Sequence, residues 1–279
     1  MLRYQLLGST RLTRIALPYL LDKGRGKVVG VDPGAEDEGR PWFAPVRGLC
    51  RDNGIPIGRF PADHVLDLDP DADSAQGGSL RVRLLAPPGS RSADLNRSIL
   101  EPHRQPWKVF SGPSESLYAF SLKEIPFRSE EDAEDRMLRA TLCGIEVLAE
   151  GLERMLAGQS PTPLPSPLIG GRWRPQESFV LWEQPAARVI ARIRAAAGPW
   201  GGARTSLGET TVWLEDAALE SESSEGWLPG TIVSTQPDLV VATGQGLVRI
   251  RRLRPGYRPI RWAGEYAAEV GATVGYQLT

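Results

Sequence analysis

The sequence predicts an α/β domain followed by a small β-rich barrel. Three observations carry that prediction: residues 3–57 alternate strand-like and helix-like runs, a proline-rich stretch at 160–167 interrupts the chain, and the part beyond Trp200 holds short β-rich runs divided by turn residues. With 279 residues the chain is long enough for two modest cores. The expected organisation is an α/β domain over 1–159, a linker over 160–183, and a connecting helix with the barrel over 184–279.

Residues Arg3 to Leu7 read as a short apolar strand, and after Gly8-Ser9-Thr10 the residues Leu12, Ile15, Ala16, Tyr19 and Leu20 recur at helical spacing. Lys27 to Val31 is apolar again, so strand, helix and strand fall in a unit whose length favours a parallel βαβ arrangement. Ala44 to Gly54 reads as a second helix with Pro45 in its first turn and Gly54 past its end, and Ile55-Pro56-Ile57 begins an extended piece. From Pro61 to Ser92 the pattern fails, and only Leu80 to Leu85 reads as a strand. Asp69, Asp71 and Asp73 have the spacing that opens a calcium loop. Ser74 stands where such a loop needs glycine and Leu80 where it needs glutamate, so the stretch reads as a solvated acidic loop.

Ser129 is expected to cap a long helix whose apolar face includes Met137, Leu138, Leu142, Ile145, Leu148, Leu152 and Leu156. Ser160 to Pro167 contains four prolines in eight residues, which stops regular structure and places the linker. Gln184 to Ala197 is helical in pattern and is stopped by Gly198-Pro199. Short strands are expected at Thr210–Leu214, Gly230–Thr235, Leu239–Ala242 and Leu247–Arg254. A closed barrel is the expected arrangement, because closure removes exposed strand edges.

Hydrophobic residues make up 41% and charged residues 24%, ordinary globular values, and no run approaches the roughly 18 apolar residues a membrane helix requires. The N-terminus enters a strand without the sections of a secretory signal, so the chain reads as cytoplasmic with no membrane partner. Cys50 and Cys143 sit far apart among apolar neighbours and read as buried thiols, with neither a disulfide nor a metal site expected. With 33 basic and 34 acidic residues the net charge is −1, so any nucleic-acid surface must be local. Arg249, Arg251 and Arg252, with Arg254, Arg258, Arg261, Tyr257 and Trp262, form such a candidate, since Arg249 and Arg251 share one face of a strand. Arginines interleaved with aromatics suit phosphate-backbone contact, while Glu265 and Glu269 leave a plain solvated face as the alternative. Trp200, Trp213, Trp227 and Trp262 read mainly as filling for a small barrel or its seam.

Several blocks carry a resemblance. Trp182, the helix Pro185 to Ala195, the turn Pro199-Trp200-Gly201-Gly202-Ala203, then Pro229 to Val233 and Val241 to Gly246 follow in an order and spacing similar to the methionyl-tRNA formyltransferases and their relatives. Leu7 to Thr10, Val28 to Val31 and Pro45 through Pro56 resemble the first third of that family's N-terminal domain. The resemblance implies a reduced Rossmann-like formyltransferase domain followed by an OB-like barrel. It also implies formyl transfer from 10-formyltetrahydrofolate to an amine, carried by a small molecule or a tRNA, with no metal. The family uses an Asn-x-His pair followed by Gly-Ser-Leu-Leu-Pro and a later Asp, residue types that supply a base for the attacking amine and donors for a tetrahedral oxyanion.

The similar run here is Asp94 to Arg104, in which an ungapped match puts Asp94 at the family's Asn and Asn96 at its His. Asn96 can donate a hydrogen bond but has no usable basicity near neutral pH. His103 is a substitute imidazole seven residues on, in a proline-flanked loop that also suits a surface histidine; His64 lies in the unmatched acidic stretch. The family's Leu-Asp-Thr-Gly-Asp segment and its pterin-lining strand have no recognisable counterpart. Two readings follow: a divergent one-carbon enzyme acting through Asn96 with Asp94 or His103, and a formyltransferase-like binding or regulatory module for RNA or a small ligand. The site, not the fold, separates them.

Overall fold

The computed structural model describes residues 1–22, 26–34, 43–68, 80–87, 95–100, 106–113, 118–164 and 175–279. In chain order the elements are β1 (Arg3–Leu7), α1 (Arg11–Asp22), β2 (Lys27–Asp32), α2 (Arg47–Asp52), β3 (His64–Asp67), β4 (Leu80–Leu85), α3 (Arg97–Leu100), β5 (Lys108–Gly112), β6 (Tyr118–Ala119), β7 (Ser121–Glu124) and α4 (Ala133–Leu156). There follow β8 (Thr162–Pro163), α5 (Ala186–Ala196), β9 (Ala203–Leu207), β10 (Thr210–Ser221), β11 (Ile232–Ser234), β12 (Leu239–Ala242), β13 (Leu247–Pro255), β14 (Arg261–Trp262) and α6 (Ala263–Glu269). Contacts divide the chain into two compact units. The first comprises Met1–Ala93, His103–Arg128 and Met137–Gly171, the second Asp94–Pro102, Ser129–Arg136 and Arg172–Thr279.

In the first unit a six-stranded sheet runs β2-β1-β3-β4-β5-β7. The first four strands are parallel and β5 and β7 antiparallel. The expected βαβ unit is present at β1, α1 and β2. Strand β3 corrects the sequence reading, which left 61–79 without a strand. Its four residues are too few to establish alternation, yet Tyr4, Gln5, Leu6 and Leu7 of β1 pair with His64, Val65, Leu66 and Asp67, placing it at the sheet's centre. The acidic calcium-like stretch at 69–73 lies outside the described residues.

Helix α4 begins at Ala133, and its cap is Asp132, whose Oδ1 accepts the Asp135 N–H at 2.9 Å, not Ser129, whose hydroxyl turns to the Glu130 carboxylate. Its buried residues include Met137, Ala140, Val147, Leu148 and Leu152. Gly144 permits close approach to Leu12 of α1 and Val82 of β4. Cys50 and Cys143 are both free and buried, and burial pushes both thiols up from their ordinary pKa.

In the second unit an antiparallel sheet runs β11-β12-β13-β10-β9, with β14 paired to β13. Alternating burial along β9 and β13 sends Val248, Ile250 and Leu253 inward, and they pack with Val189, Ile190 and Ile193 of α5, Leu214, Val241 and Trp182. Strand β10 outruns its expected end at Leu214 because irregular pairing around Asp216 bends it onward to Ser221. The sheet curls into a half-barrel. Its two edge strands are joined by the last residues of the chain: Thr279 exchanges backbone hydrogen bonds with Ser206 at 2.6 and 3.2 Å, Leu278 N–H donates to Gly230 O at 2.8 Å, and Ile232 N–H donates to Tyr276 O at 2.7 Å.

The sequence blocks that carry the family resemblance meet in this core. Gly244 N–H donates to Trp182 O and Ala186 N–H to Gln245 O, both at 2.8 Å, which ties the 243–246 turn to the start of α5. Trp182 Nε1 donates to Thr205 Oγ1 at 3.0 Å. After α5 the turn needs two successive left-handed residues, Gly201 and Gly202, with φ of 85° and 90°.

Candidate functional site

In an open parallel sheet, ligands lie outside the carboxyl ends of the strands where strand order reverses. Here that point is between β1 and β3, and the described residues at this edge hydrogen-bond to one another. Gly8 N–H donates to Asp32 O at 2.9 Å and Leu68 N–H to Leu7 O at 3.1 Å, while the Thr10 hydroxyl donates to Leu68 O at 2.8 Å. Asp67, at the carboxyl end of β3, is 1% exposed and pairs with Arg81 of β4 at 3.1 Å. Asp32 pairs with Arg59 at 2.5 Å, and the Arg59 hydrogen bond holds its carboxyl below the usual range. The chain leaves β4 through Leu85 and Ala86, both buried. No imidazole stands at this edge among the described residues; His64 is at the opposite end of β3 with its ring stacked 6.1 Å from that of Tyr4.

The predicted catalytic residues fare differently. Asp94 and His103 lie outside the described residues. Asn96 lies in the turn before α3, is wholly buried, and neither its Oδ1 nor its Nδ2 has a hydrogen-bond partner among the described residues. It belongs to the second unit, where its neighbours form a polar group around α3. The Ser98 hydroxyl donates to Leu95 O and accepts from Arg136 Nη1 at 2.7 Å. Arg97 pairs with Glu177, whose carbonyl accepts from Arg192 Nη1 at 2.8 Å. Burial lowers the Arg136 pKa, and Glu131, itself buried, acts in the opposite direction.

On the half-barrel, Arg249, Arg251 and Arg252 are about half exposed, and each faces an acid on β10. Arg249 lies 2.5 Å from Glu220, and Arg251 and Arg252 lie 3.5 and 3.8 Å from Asp216. The basic stripe is therefore interleaved with an acidic one. Beside it Arg254 pairs with Glu215 at 3.3 Å and stacks 5.3 Å from the Trp213 ring. Burial raises the Glu215 pKa, partly countered by Arg254 and Arg252. Tyr257 is fully exposed, Trp262 57% exposed and Trp227 near the surface, so these rings are not barrel filling.

Sequence reasoning missed two features. One is the buried Asp67–Arg81 pair, whose signal was an arginine between Leu80 and Val82 in a strand that also carries Arg83. The other is a cavity of about 340 Å³ in the first unit, edged by Arg11 and Arg14 of α1, Phe43 and Leu138. Its signal was two arginines opening a helix. No group of three metal-ligating side chains occurs among the described residues, and no described helix is long and apolar enough to cross a membrane.

Comparison with known proteins joins these halves. Residues 172–268 match the formyl transferase C-terminal domain. The whole chain is 28% identical to the methionyl-tRNA formyltransferase of Roseiflexus castenholzii, covering 99% of both proteins, and 29% identical to that of Mycobacterium sp. strain KMS, covering 94% of this chain and 96% of that one. The chain is thus similar to methionyl-tRNA formyltransferases over nearly its full length. Solved structures agree in fold: HypX from Aquifex aeolicus superposes with a TM-score of 0.70 at 17% identity over 98% of this chain and 50% of that one. The sugar 3N-formyl transferase WlaRD superposes at 0.66 and 11% identity over 93% and 99%. HypX has been crystallised with tetrahydrofolic acid, and WlaRD in the presence of dTDP and 5-N-formyl-THF. The similarity to methionyl-tRNA formyltransferases thus runs over nearly the whole chain.

Proposed function

We propose that this formyltransferase-like protein no longer assembles a formyl-transfer centre and works as a binding module whose partner is a tRNA. One observation carries the loss of chemistry. The only residue offered at the family's histidine position, Asn96, is sealed from solvent, where it can neither receive an amine's proton nor reach a substrate. At the parallel-strand edge the described carboxylates are engaged by Arg81 and Arg59, and the strand leading outward ends in Leu85 and Ala86. Among the described residues these groups do not suit a pterin, which needs exposed polar partners.

Binding is supported by the other half. The half-barrel matches the family's C-terminal domain, its relatives are named for methionyl-tRNA, and Tyr257 and Trp262 stand exposed beside Arg249, Arg251 and Arg252. Exposed rings next to guanidinium groups supply stacking and phosphate contact together. Because Glu220 and Asp216 share the arginines, binding should be modest and salt-sensitive.

Incubation with 10-formyltetrahydrofolate and a panel of amines, including methionyl-tRNA, tests the first part: no formyl product and no folate-dependent thermal shift are expected. Formyl product would return the protein to the enzymes. That second reading is favoured by the full-length match to the R. castenholzii protein and would place Asp94, Asn96 or His103 in the chemistry. For the second part, replacing Arg249, Arg251 and Arg252 together with glutamine should weaken tRNA binding and flatten its salt dependence. Unchanged affinity would remove the barrel stripe from the interface.

A further inference from the structure

The outer face of the half-barrel carries a second feature, which runs across the strands instead of along β13. Arg204 of β9, Trp213 of β10 and Arg254 of β13 stand directly opposite one another in the two antiparallel ladders. Their sequence neighbours Ala203, Thr205, Val212, Leu214, Leu253 and Pro255 are buried, so the three side chains share the outward face. Phe179 lengthens the row beyond β9. It forms a backbone bridge with Arg204, Val180 N–H donates to Arg204 O at 2.9 Å, and the Arg204 guanidinium lies 4.8 Å over the Phe179 ring. At the other end the Arg254 guanidinium lies 5.3 Å over Trp213, and the Tyr257 ring is centred 6.1 Å from that of Trp213. In the adjacent row Arg252 of β13 stands opposite Trp262 of β14.

Ring and cation thus alternate along about 14 Å of sheet at the ordinary strand spacing. Tyr257 is fully exposed, and Phe179 and Trp262 are about half exposed. Rings left in water add little to folding stability, and several gathered on one face mark a contact surface. The acids on this face are already engaged: Glu215, 12% exposed, pairs with Arg254 at 3.3 Å, and Asp216 is shared between Arg251 and Arg252. Arg258, next to Tyr257, is exposed and has no acidic partner among the described residues. Aromatic and cationic groups together select the occupant. A duplex keeps its base faces inside the stack, so it would cover the guanidinium groups and leave the rings in water. An unpaired nucleotide offers a flat face and a phosphate at every step, which match ring and guanidinium in turn.

We propose that this row is a platform for unpaired nucleotides of an RNA, with bases stacked on Phe179 and Tyr257 and phosphates on Arg204, Arg254 and Arg258. The inference rests on the tRNA reading above and narrows it: Arg249, Arg251 and Arg252 contact backbone whatever its pairing, while the cross-strand row requires a stretch without a partner strand.

Fluorescence polarisation of the full chain with a labelled single-stranded RNA of about ten nucleotides, the blunt duplex of the same sequence and a tRNA provides the test. The single strand should bind about tenfold or more tightly than the duplex. Tyr257→Ala should cost single-strand affinity about tenfold and leave duplex affinity and Tm unchanged, because the ring is fully exposed and packs into no core; Tyr257→Phe, which keeps the ring, should restore binding. Arg258→Gln should weaken binding and lower the salt slope by about one. The platform is overturned if the duplex binds as tightly as the single strand, if folded Tyr257→Ala retains full single-strand affinity, or if the parent dimerises through these rings and Tyr257→Ala abolishes the dimer. Duplex and single strand binding equally, with tRNA still bound, would sink the platform and leave the tRNA reading standing. Single strand bound without tRNA would support the platform and remove tRNA as the partner, and no RNA bound at all would remove both.

Discussion

Leu278 and its neighbours offer the sharpest test of how the half-barrel is held. Leu278 is 3% exposed, and full burial of a leucine contributes about 1.5–3 kcal/mol. Thr279 and Leu278 between them make three backbone hydrogen bonds to the two edge strands, and the Thr205 hydroxyl adds a fourth to Thr279 O at 3.1 Å. Each such bond contributes about 0.5–1.5 kcal/mol net. Ordering three residues costs about 1–2 kcal/mol apiece and offsets much of that. Deleting Gln277–Thr279 should therefore lower stability by about 2 kcal/mol. Leu278→Ala, which keeps the backbone ladder but empties the socket, should lose about 2–3 kcal/mol, the lower part of the range for a buried leucine. The deletion has a further consequence that the substitution lacks: it bares the backbone edges of β9 and β11, so it should also associate in a concentration-dependent way. Urea unfolding followed by tryptophan fluorescence measures both losses, and light scattering distinguishes the two variants. A deletion within about 0.5 kcal/mol of the parent and equally monodisperse would refute the idea that these residues close the sheet.

Three further outcomes are expected. Asp67→Asn or Arg81→Met alone should each destabilise by about 3–5 kcal/mol by stranding a buried charge, whereas Asp67→Leu with Arg81→Met should recover most of the loss in thermal unfolding. Asn96→Leu should be neutral or stabilise by about 1–2 kcal/mol, because it removes a buried amide with neither end paired; a marked loss of stability would mean that the amide holds a bound group. Glu215 carries a pKa raised by burial, so its contribution to stability is fullest below the ordinary glutamate value and is lost as pH rises through its folded value. Glu215→Gln should then gain stability relative to the parent between pH 4.5 and 7.5, about neutral being the favourable end, as read by urea midpoints at the two pH values. An advantage that shrank with rising pH would contradict the direction of the shift.

Much of this protein was written in local patterns. The spacing of Leu12, Ala16 and Leu20 gave α1, the apolar repeat from Met137 to Leu152 gave α4, and the sequence blocks from Trp182 to Gly246 marked the family, because those residues meet in one core where each constrains the others. Capping and bulging were less legible: Asp132 and Ser129 are equally good caps in a string of letters, and only the chain's path decides which carboxylate reaches the free N–H groups. Strand β3 was hidden by its brevity, since four residues carry no reliable alternation and their place at the sheet's centre depends on partners sixty positions away.

The sequence by itself determined the alternation of strands and helices in the first 57 residues and the blocks from Trp182 to Gly246 that resemble the formyltransferases. The tertiary structure decided which of the polar residues are exposed and which are paired. Burial of Asn96, the pairing of Asp67 with Arg81, the acids set against Arg249, Arg251 and Arg252, and the cavity beside Arg11 and Arg14 all depend on long-range packing. Exposure and charge pairing are properties of surfaces, and surfaces exist only after distant segments have been brought together.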